Sequence, residues 1–281
     1  AAKLLFLSQP SLTKSIKELE KEMKITIFDR TNKGISVSKE GEIFLGYARQ
    51  VLEQAALLEE KYKNHAGGKQ KFRVSTQHYS FAVNAFVDLI KKYGGNEYDF
   101  SLRETQTFNI IEDVSQMNSE IGILYYNAFN RMVIEKLLKS NDLRVTQLLT
   151  AKPHIFVSSR NPLAQKSFVK MEDLTPYPYL SYEQGKHNSF YFSEEIFSTE
   201  IRSKNIRVMD RATLFNLLIG LNGYTICSGV IDRELNGENI VAVPLQAEGE
   251  MHIGVITHKK ATLSRLGAYY IETLKKYTDN N

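Results

Sequence analysis

Apolar residues at Leu12, Ile16, Leu19 and Met23 fall three or four positions apart, which is one stripe of a helix. Ser8 stands where an N-cap is needed, and Pro10 suits a first turn, where a missing N–H costs nothing. The opposite face carries Ser11, Lys14, Ser15 and Lys17. Between Lys24 and Val37, two short β-prone runs flank the turn signal Asn32-Lys33-Gly34, which predicts a hairpin. Ser38 then caps a helix predicted to run to about Asn64. Its positions Gly41, Phe44, Ala48, Val51, Ala55, Leu58 and Tyr62 alternate steps of three and four, the seam of a two-helix coiled coil. The competing reading is an amphipathic helix packed on its own domain. Residues 65–71, rich in glycine and lysine, predict a flexible hinge.

From Phe72 the pattern changes to alternating strands and helices. Strands are expected at Phe72–Thr76, Phe100–Glu104 and Glu120–Tyr125, and helices at Phe81–Tyr93 and Thr107–Asn118, a parallel βαβαβ unit. A second unit of the same kind is expected to follow, with strands near His154–Ser158, Tyr179–Tyr182, Ile206–Met209, Tyr224–Cys227 and Ile240–Val243. The strand Met251–Ile256 and a closing helix, Leu263–Tyr277, are expected to return to the first unit. Two lobes so joined would enclose a cleft.

Charge adds position to this picture. The chain of 281 residues carries a net charge of +4, and residues 1–39 alone hold eight Lys or Arg against four Asp or Glu. A basic front on a balanced body fits nucleic-acid contact confined to the N-terminus, although a solvated surface helix with chance lysines also fits. Cys227 is the only cysteine, which excludes an intrachain disulfide and a cysteine-based metal cluster and suits a reducing cytoplasm. No run of 18 apolar residues and no charged-then-apolar leader is visible.

The segment Leu7-Ser8-Gln9-Pro10-Ser11-Leu12, with Ile16, Leu19-Glu20, Ile27-Phe28 and Arg30, resembles the LysR-type transcriptional regulators. Val37-Ser38-Lys39-Glu40-Gly41 and Tyr47-Ala48-Arg49 are similar to that family's wing and linker-helix entry. The resemblance implies a winged helix-turn-helix plus α/β fold, with a long linker helix and a two-lobed effector domain like the periplasmic solute-binding proteins. The expected division is 1–38 for a partial winged domain lacking its first helix, 39–64 for the linker and dimerisation helix, and 72–281 for the effector domain. Within that domain, lobe 1 is expected at about 72–147 and 248–281, and lobe 2 at about 148–247. The abrupt start at Ala1-Ala2-Lys3, where Ala2, Leu5 and Phe6 resemble the end of a helix, reads as a fragment. Ser75–Tyr79, Asn118–Ile123 and Asp210–Leu214 are similar to a Gram-positive branch that controls methionine or cysteine supply.

In such a reader the second helix enters the major groove, and Ser8, Gln9, Pro10, Ser11, Lys14, Ser15 and Lys17 are the candidate contacts to bases and phosphates. Arg30, Thr31 and Lys33 on the wing are candidates for phosphate or minor-groove contacts. Palindromic double-stranded operator DNA is the expected partner, bound by a homodimer or tetramer.

Parallel α/β sheets bind ligands at the C-terminal ends of their strands. The first strand ends at Thr76-Gln77-His78-Tyr79, the second at Thr105-Gln106-Thr107 and the third at Tyr125, and the facing strands contribute Tyr182 and Arg211. Hydroxyls, helix N-termini and one arginine suit a small carboxylate such as an amino acid. The family resemblance carries Thr76, His78, Thr105 and Tyr125 into the pocket. Plainer roles compete: Thr105 and Thr107 fit helix caps, His78 a hydrogen-bonded surface imidazole, and Arg211 a structural ion pair. The six histidines show no zinc spacing, Gly67-Gly68-Lys69 lacks the rest of a phosphate loop, and there is no G-x-S-x-G elbow. Neither a cofactor nor a catalytic residue is expected. The function expected is a cytoplasmic DNA-binding regulator whose cleft binds a small co-inducer such as an amino acid or sulphur-metabolism intermediate. A solute-binding protein and an α/β enzyme are the alternatives from other classes.

Overall fold

Ser8 caps helix α1 (Gln9–Met23) by accepting the Ser11 N–H at 3.2 Å, and Pro10 lies in the first turn. Lys24, with φ of 56°, closes the helix by donating its N–H to the Glu20 carbonyl. Glu20 also accepts the N–H groups of Ile27 and Phe28 on its carboxylate, at 2.7 and 3.0 Å. That fastens the hairpin β1 (Phe28–Thr31) and β2 (Gly34–Val37), paired antiparallel with Arg30 opposite Ile35. Ser38 then starts α2 (Lys39–Tyr62), its Oγ accepting the Gly41 N–H at 2.8 Å. These elements belong to a unit spanning Ala1–Tyr62, and a second unit spans Lys63–Asn281. The protein is seen here in a computed structural model that describes residues 8–31, 34–62, 70–231 and 236–278. The expected helix end at residues 2–6, Lys33, and the hinge apart from Gln70 and Lys71 fall outside them.

The seam expected on α2 divides in two. Gly41 is buried against Ile27, Phe44 and Ala48 are half-buried, and Val51, Ala55 and Leu58 are exposed. A Cβ on Gly41 would collide with the Ile27 carbonyl, so Gly41 serves packing within this unit and not a partner-facing seam. Gly41→Ala is expected to push α2 off the hairpin at a cost of about 1–3 kcal/mol, read as a lower thermal midpoint of the N-terminal unit. An unchanged midpoint would show that the contact yields.

The larger unit holds two five-stranded sheets. The first contains β3 (Gln70–Thr76), β4 (Tyr98–Glu104), β5 (Ile121–Tyr126), β6 (Leu143–Ala151) and β12 (Met251–His258), in the order β4-β3-β5-β12-β6. The expected parallel core is present in β4-β3-β5, and β12 runs antiparallel to both neighbours. Along β5, Ile121 and Ile123 face α3 (Ser80–Tyr93) and α8 (Arg265–Thr278). Leu124 and Tyr126 face α4 (Thr107–Ser115) and α5 (Arg131–Ser140), the two-residue alternation of a strand covered on both faces. Gly122 lets α4 and β12 close on the sheet, since a Cβ there would meet Ile110 and Ile256.

The second sheet contains β7 (His154–Ser158), β8 (Tyr179–Tyr182), β9 (Asn205–Val208), β10 (Tyr224–Cys227) and β11 (Ile240–Pro244), in the order β11-β7-β10-β8-β9. Here the expectation of a second parallel unit is corrected. Only β10, β8 and β9 are parallel, while β7 runs antiparallel to β10 and β11 because it arrives directly from β6. The short α6 (Met171–Leu174) precedes β8, and α7 (Arg211–Gly220) packs Leu214 and Leu218 against Leu180 and Val208. The chain passes between the sheets at residues 152–153 and again at 245–250. Among the described residues, no helix is long and apolar enough to cross a membrane.

Candidate functional site

Two surfaces carry chemistry. On α1, Ser8, Gln9, Pro10, Ser11, Lys14, Ser15 and Lys17 are all exposed, while Leu12, Ile16 and Leu19 are half-buried behind them. Met23, assigned to the apolar stripe, is half-exposed instead. The first turn carries no acidic side chain, so nothing of opposite charge masks the positive end of the helix dipole there. Lys14 lies 3.9 Å from Glu18, a solvent-exposed pair too weak to hold the ammonium from a phosphate. The backbone of Arg30 and Thr31 lies in β1, and their side chains fall outside the described residues.

The second surface is the cleft between the two sheets, and the protein's own side chains fill it. Residues 183–200, which follow β8, cross onto the first sheet's strand ends. Glu194 accepts the His78 backbone N–H at 3.1 Å and contacts its Nδ1 at 2.9 Å. His78 stacks on Tyr182, with ring centroids 3.8 Å apart, and its Nε2 lies 3.2 Å from the Met209 carbonyl. Gln184 accepts the Thr107 N–H, the first donor of α4, at 3.1 Å. Thr107 Oγ1 donates to the Phe192 carbonyl at 2.7 Å. Arg211, at the start of α7, reaches across to Glu104 at 3.1 Å. What remains open is a cavity of about 40 Å³, room for a few water molecules, bordered by His78, Tyr182, Glu195, Arg211, Phe215 and Thr225.

Gln77 organises the strand ends. Its Oε1 accepts the Tyr125 N–H at 2.7 Å and the Tyr79 hydroxyl at 2.9 Å, and its Nε2 donates to Thr107 Oγ1. Burial disfavours the charged imidazole of His78, but the Glu194 carboxylate, together with Glu104 and Glu195, outweighs it, so the His78 pKa is raised. Glu195 is buried beside Glu194, and loss of solvent, then that neighbouring charge, push its carboxyl up to about 8. Burial likewise raises Glu104, although Arg211 opposes the shift. Burial pushes the Cys227 thiol up, so it stays protonated in the cavity wall. Among the described residues, no grouping of His, Cys, Asp and Glu could hold a metal.

Residues 75–279 match the family model described as the LysR substrate binding domain, and residues 1–42 match that of the bacterial regulatory helix-turn-helix protein, lysR family. The chain belongs to the LysR family. It is a non-enzymatic DNA-binding transcriptional regulator with an effector-binding domain. Among its LysR relatives, AlsR of Bacillus subtilis is 24% identical, over all of this chain and 85% of its own. CysL of the same organism is 25% identical over 73% of this chain and 66% of its own. The full-length OxyR variant of Pseudomonas aeruginosa shares the fold, with a TM-score of 0.64 at 16% identity over 98% of this chain and 90% of that one.

Of the nine strand-end residues expected at a LysR effector site, the cleft brings His78, Tyr79, Tyr182 and Arg211 to one cavity. Thr76, Gln77 and Thr107 are fully buried behind it and bonded within the protein, Thr76 Oγ1 to the Gln77 carbonyl. Tyr125 packs its ring into the core of the second sheet. Thr105 is half-buried, and its N–H joins the Thr76 carbonyl at 2.9 Å. Of the plainer readings of the charged residues, the structural ion pair applies to Arg211, while the surface imidazole is corrected, since the His78 side chain is buried against Glu194 and Tyr182. Sequence reasoning missed Glu104, Gln184, Glu194 and Glu195. The only signal for the last two was an adjacent pair of acids after Phe190-Tyr191-Phe192, in a segment without periodicity.

Proposed function

We propose that the cleft is this regulator's effector site and that the exposed face of α1 reads its operator. Convergence of His78, Tyr79, Tyr182 and Arg211 on one cavity between two lobes carries the first half. The effector is an amino acid or a sulphur-metabolism intermediate, in keeping with the Gram-positive methionine or cysteine branch that Ser75–Tyr79 resembles. Effector binding shifts the population between the latched arrangement and a second one, α2 passes the change on, and the spacing of paired DNA heads alters. A homodimer or tetramer built through α2, whose Val51, Ala55 and Leu58 are exposed, would meet a palindromic operator in the cytoplasm.

A thermal-shift screen of amino acids and sulphur metabolites on the full chain tests the cleft. A ligand that raises the midpoint in wild type is expected to lose that effect in Tyr182→Ala, and an intact shift would place the site elsewhere. For the DNA face, Lys14→Ala is expected to weaken operator binding roughly tenfold and to lower the salt slope by about 1. Unchanged affinity and slope would sink the groove assignment.

A further inference from the structure

Resting on that reading of the cleft, we propose that its cavity takes the ammonium group of a small amine or amino acid, held between the Glu195 carboxylate and the Thr225 hydroxyl. Every device that would hold a carboxylate is already engaged. The α4 N-terminal N–H donates to the Gln184 amide oxygen, the His78 N–H donates to the Glu194 carboxylate, and Arg211 pairs with Glu104. Three carboxylates meet two cations here, and the pairs His78–Glu194 and Arg211–Glu104 leave Glu195 over. It accepts the Tyr182 N–H at 2.8 Å, and among the described residues no cationic group stands within ion-pair distance of it.

A second feature points to the same ligand. Thr225 is 4% exposed and lines this cavity, and its Oγ1 has no hydrogen-bond partner among the described residues. A buried hydroxyl left unsatisfied is costly, and an ammonium donor would satisfy it. The walls are aromatic, with Tyr79, Phe156, Tyr182 and Phe215, whose faces attract a cation. The groups that face Glu195 electrostatically are Glu194, His78, Tyr79, Tyr125, Tyr179 and Tyr182. An incoming carboxylate would meet two acids there. The cavity has room for an ammonium head, and the rest of the ligand enters by displacing part of the 183–200 segment.

Titration calorimetry of the full chain with n-propylamine and with butyrate decides the matter. An ammonium arriving at a neutral Glu195 expels its proton, which buffers of different ionisation enthalpy report. Since the Glu195 carboxyl titrates at about 8, n-propylamine affinity is expected to rise about tenfold per pH unit below it. Glu195→Gln is expected to abolish both the proton release and the pH dependence. Thr225→Val is expected to weaken binding and keep the proton release. Propylamine binding without proton release, or with full affinity in Glu195→Gln, would overturn the assignment. Butyrate binding in place of propylamine would overturn it and leave the effector reading standing. Failure of amines, amino acids and carboxylates alike to bind or to alter operator affinity would overturn both.

Discussion

Gln77→Leu is expected to destabilise the effector unit by about 2–5 kcal/mol. The side chain is fully buried, and its two ends serve three partners on three elements: the Tyr125 N–H of β5, the Tyr79 hydroxyl and the Thr107 hydroxyl of α4. Leucine would leave a backbone N–H and a phenol in the interior without acceptors. Thr107→Val removes one of these contacts together with the bond to the Phe192 carbonyl, and is expected to cost less, about 1–2 kcal/mol. Urea denaturation followed by circular dichroism would rank the two. Equal losses would mean that Gln77 acts only through Thr107. Its place at a strand end made Gln77 a candidate effector contact, but here it is the fixture that sets the strand ends against one another.

That difference shows what short-range pattern conveys. Residues that alternate or recur at helical spacing declared their elements, so β3, β5, α3 and α4 stand within a few residues of expectation. Strand direction was another matter. His154–Ser158 reads as a strand in either orientation, and only the arrival of the chain from β6 makes it antiparallel. The strand β6 itself, Leu143–Ala151, was missed because its burial does not alternate cleanly along its length. The places of Thr76, His78 and Thr107 at strand ends were legible because topology fixes where such ends lie. Glu194 was not, since its partner His78 is 116 positions away and the intervening segment follows no period.

If the cleft is the effector site as proposed, the residues that would greet an effector also tie the two lobes together. Glu194 presents a carboxylate to His78, Gln184 presents an amide oxygen to α4, and Arg211 bridges to Glu104. A ligand must therefore offer better partners than these to open the cleft, and its net affinity is reduced by the free energy of the latch. Weakening the latch should raise effector affinity while lowering stability, which separates its contribution from that of direct ligand contacts.

Glu194→Gln is the variant that tests this. Removing one partner of a buried ion pair costs about 3–5 kcal/mol when the other must stay charged, but His78 can shed its proton. The loss should therefore depend on pH. In wild type the His78 pKa is raised above 6.5, so its contribution is complete below that value and disappears as pH climbs through the raised pKa. In the variant, burial is opposed only by the more weakly acting Glu104 and Glu195, so the pKa falls and that contribution shrinks. Glu195 reinforces the trend. Its carboxyl, raised from 4.5 to about 8, makes wild-type stability fall across that interval, and removing the Glu194 charge relieves the shift. Both effects narrow the gap between the proteins as pH rises, from about 3 kcal/mol at pH 6 toward about 1 kcal/mol at pH 8. Denaturation at the two pH values measures it. A gap that stayed constant would show that Glu194 acts through packing and hydrogen bonding, with no share from the charge on His78.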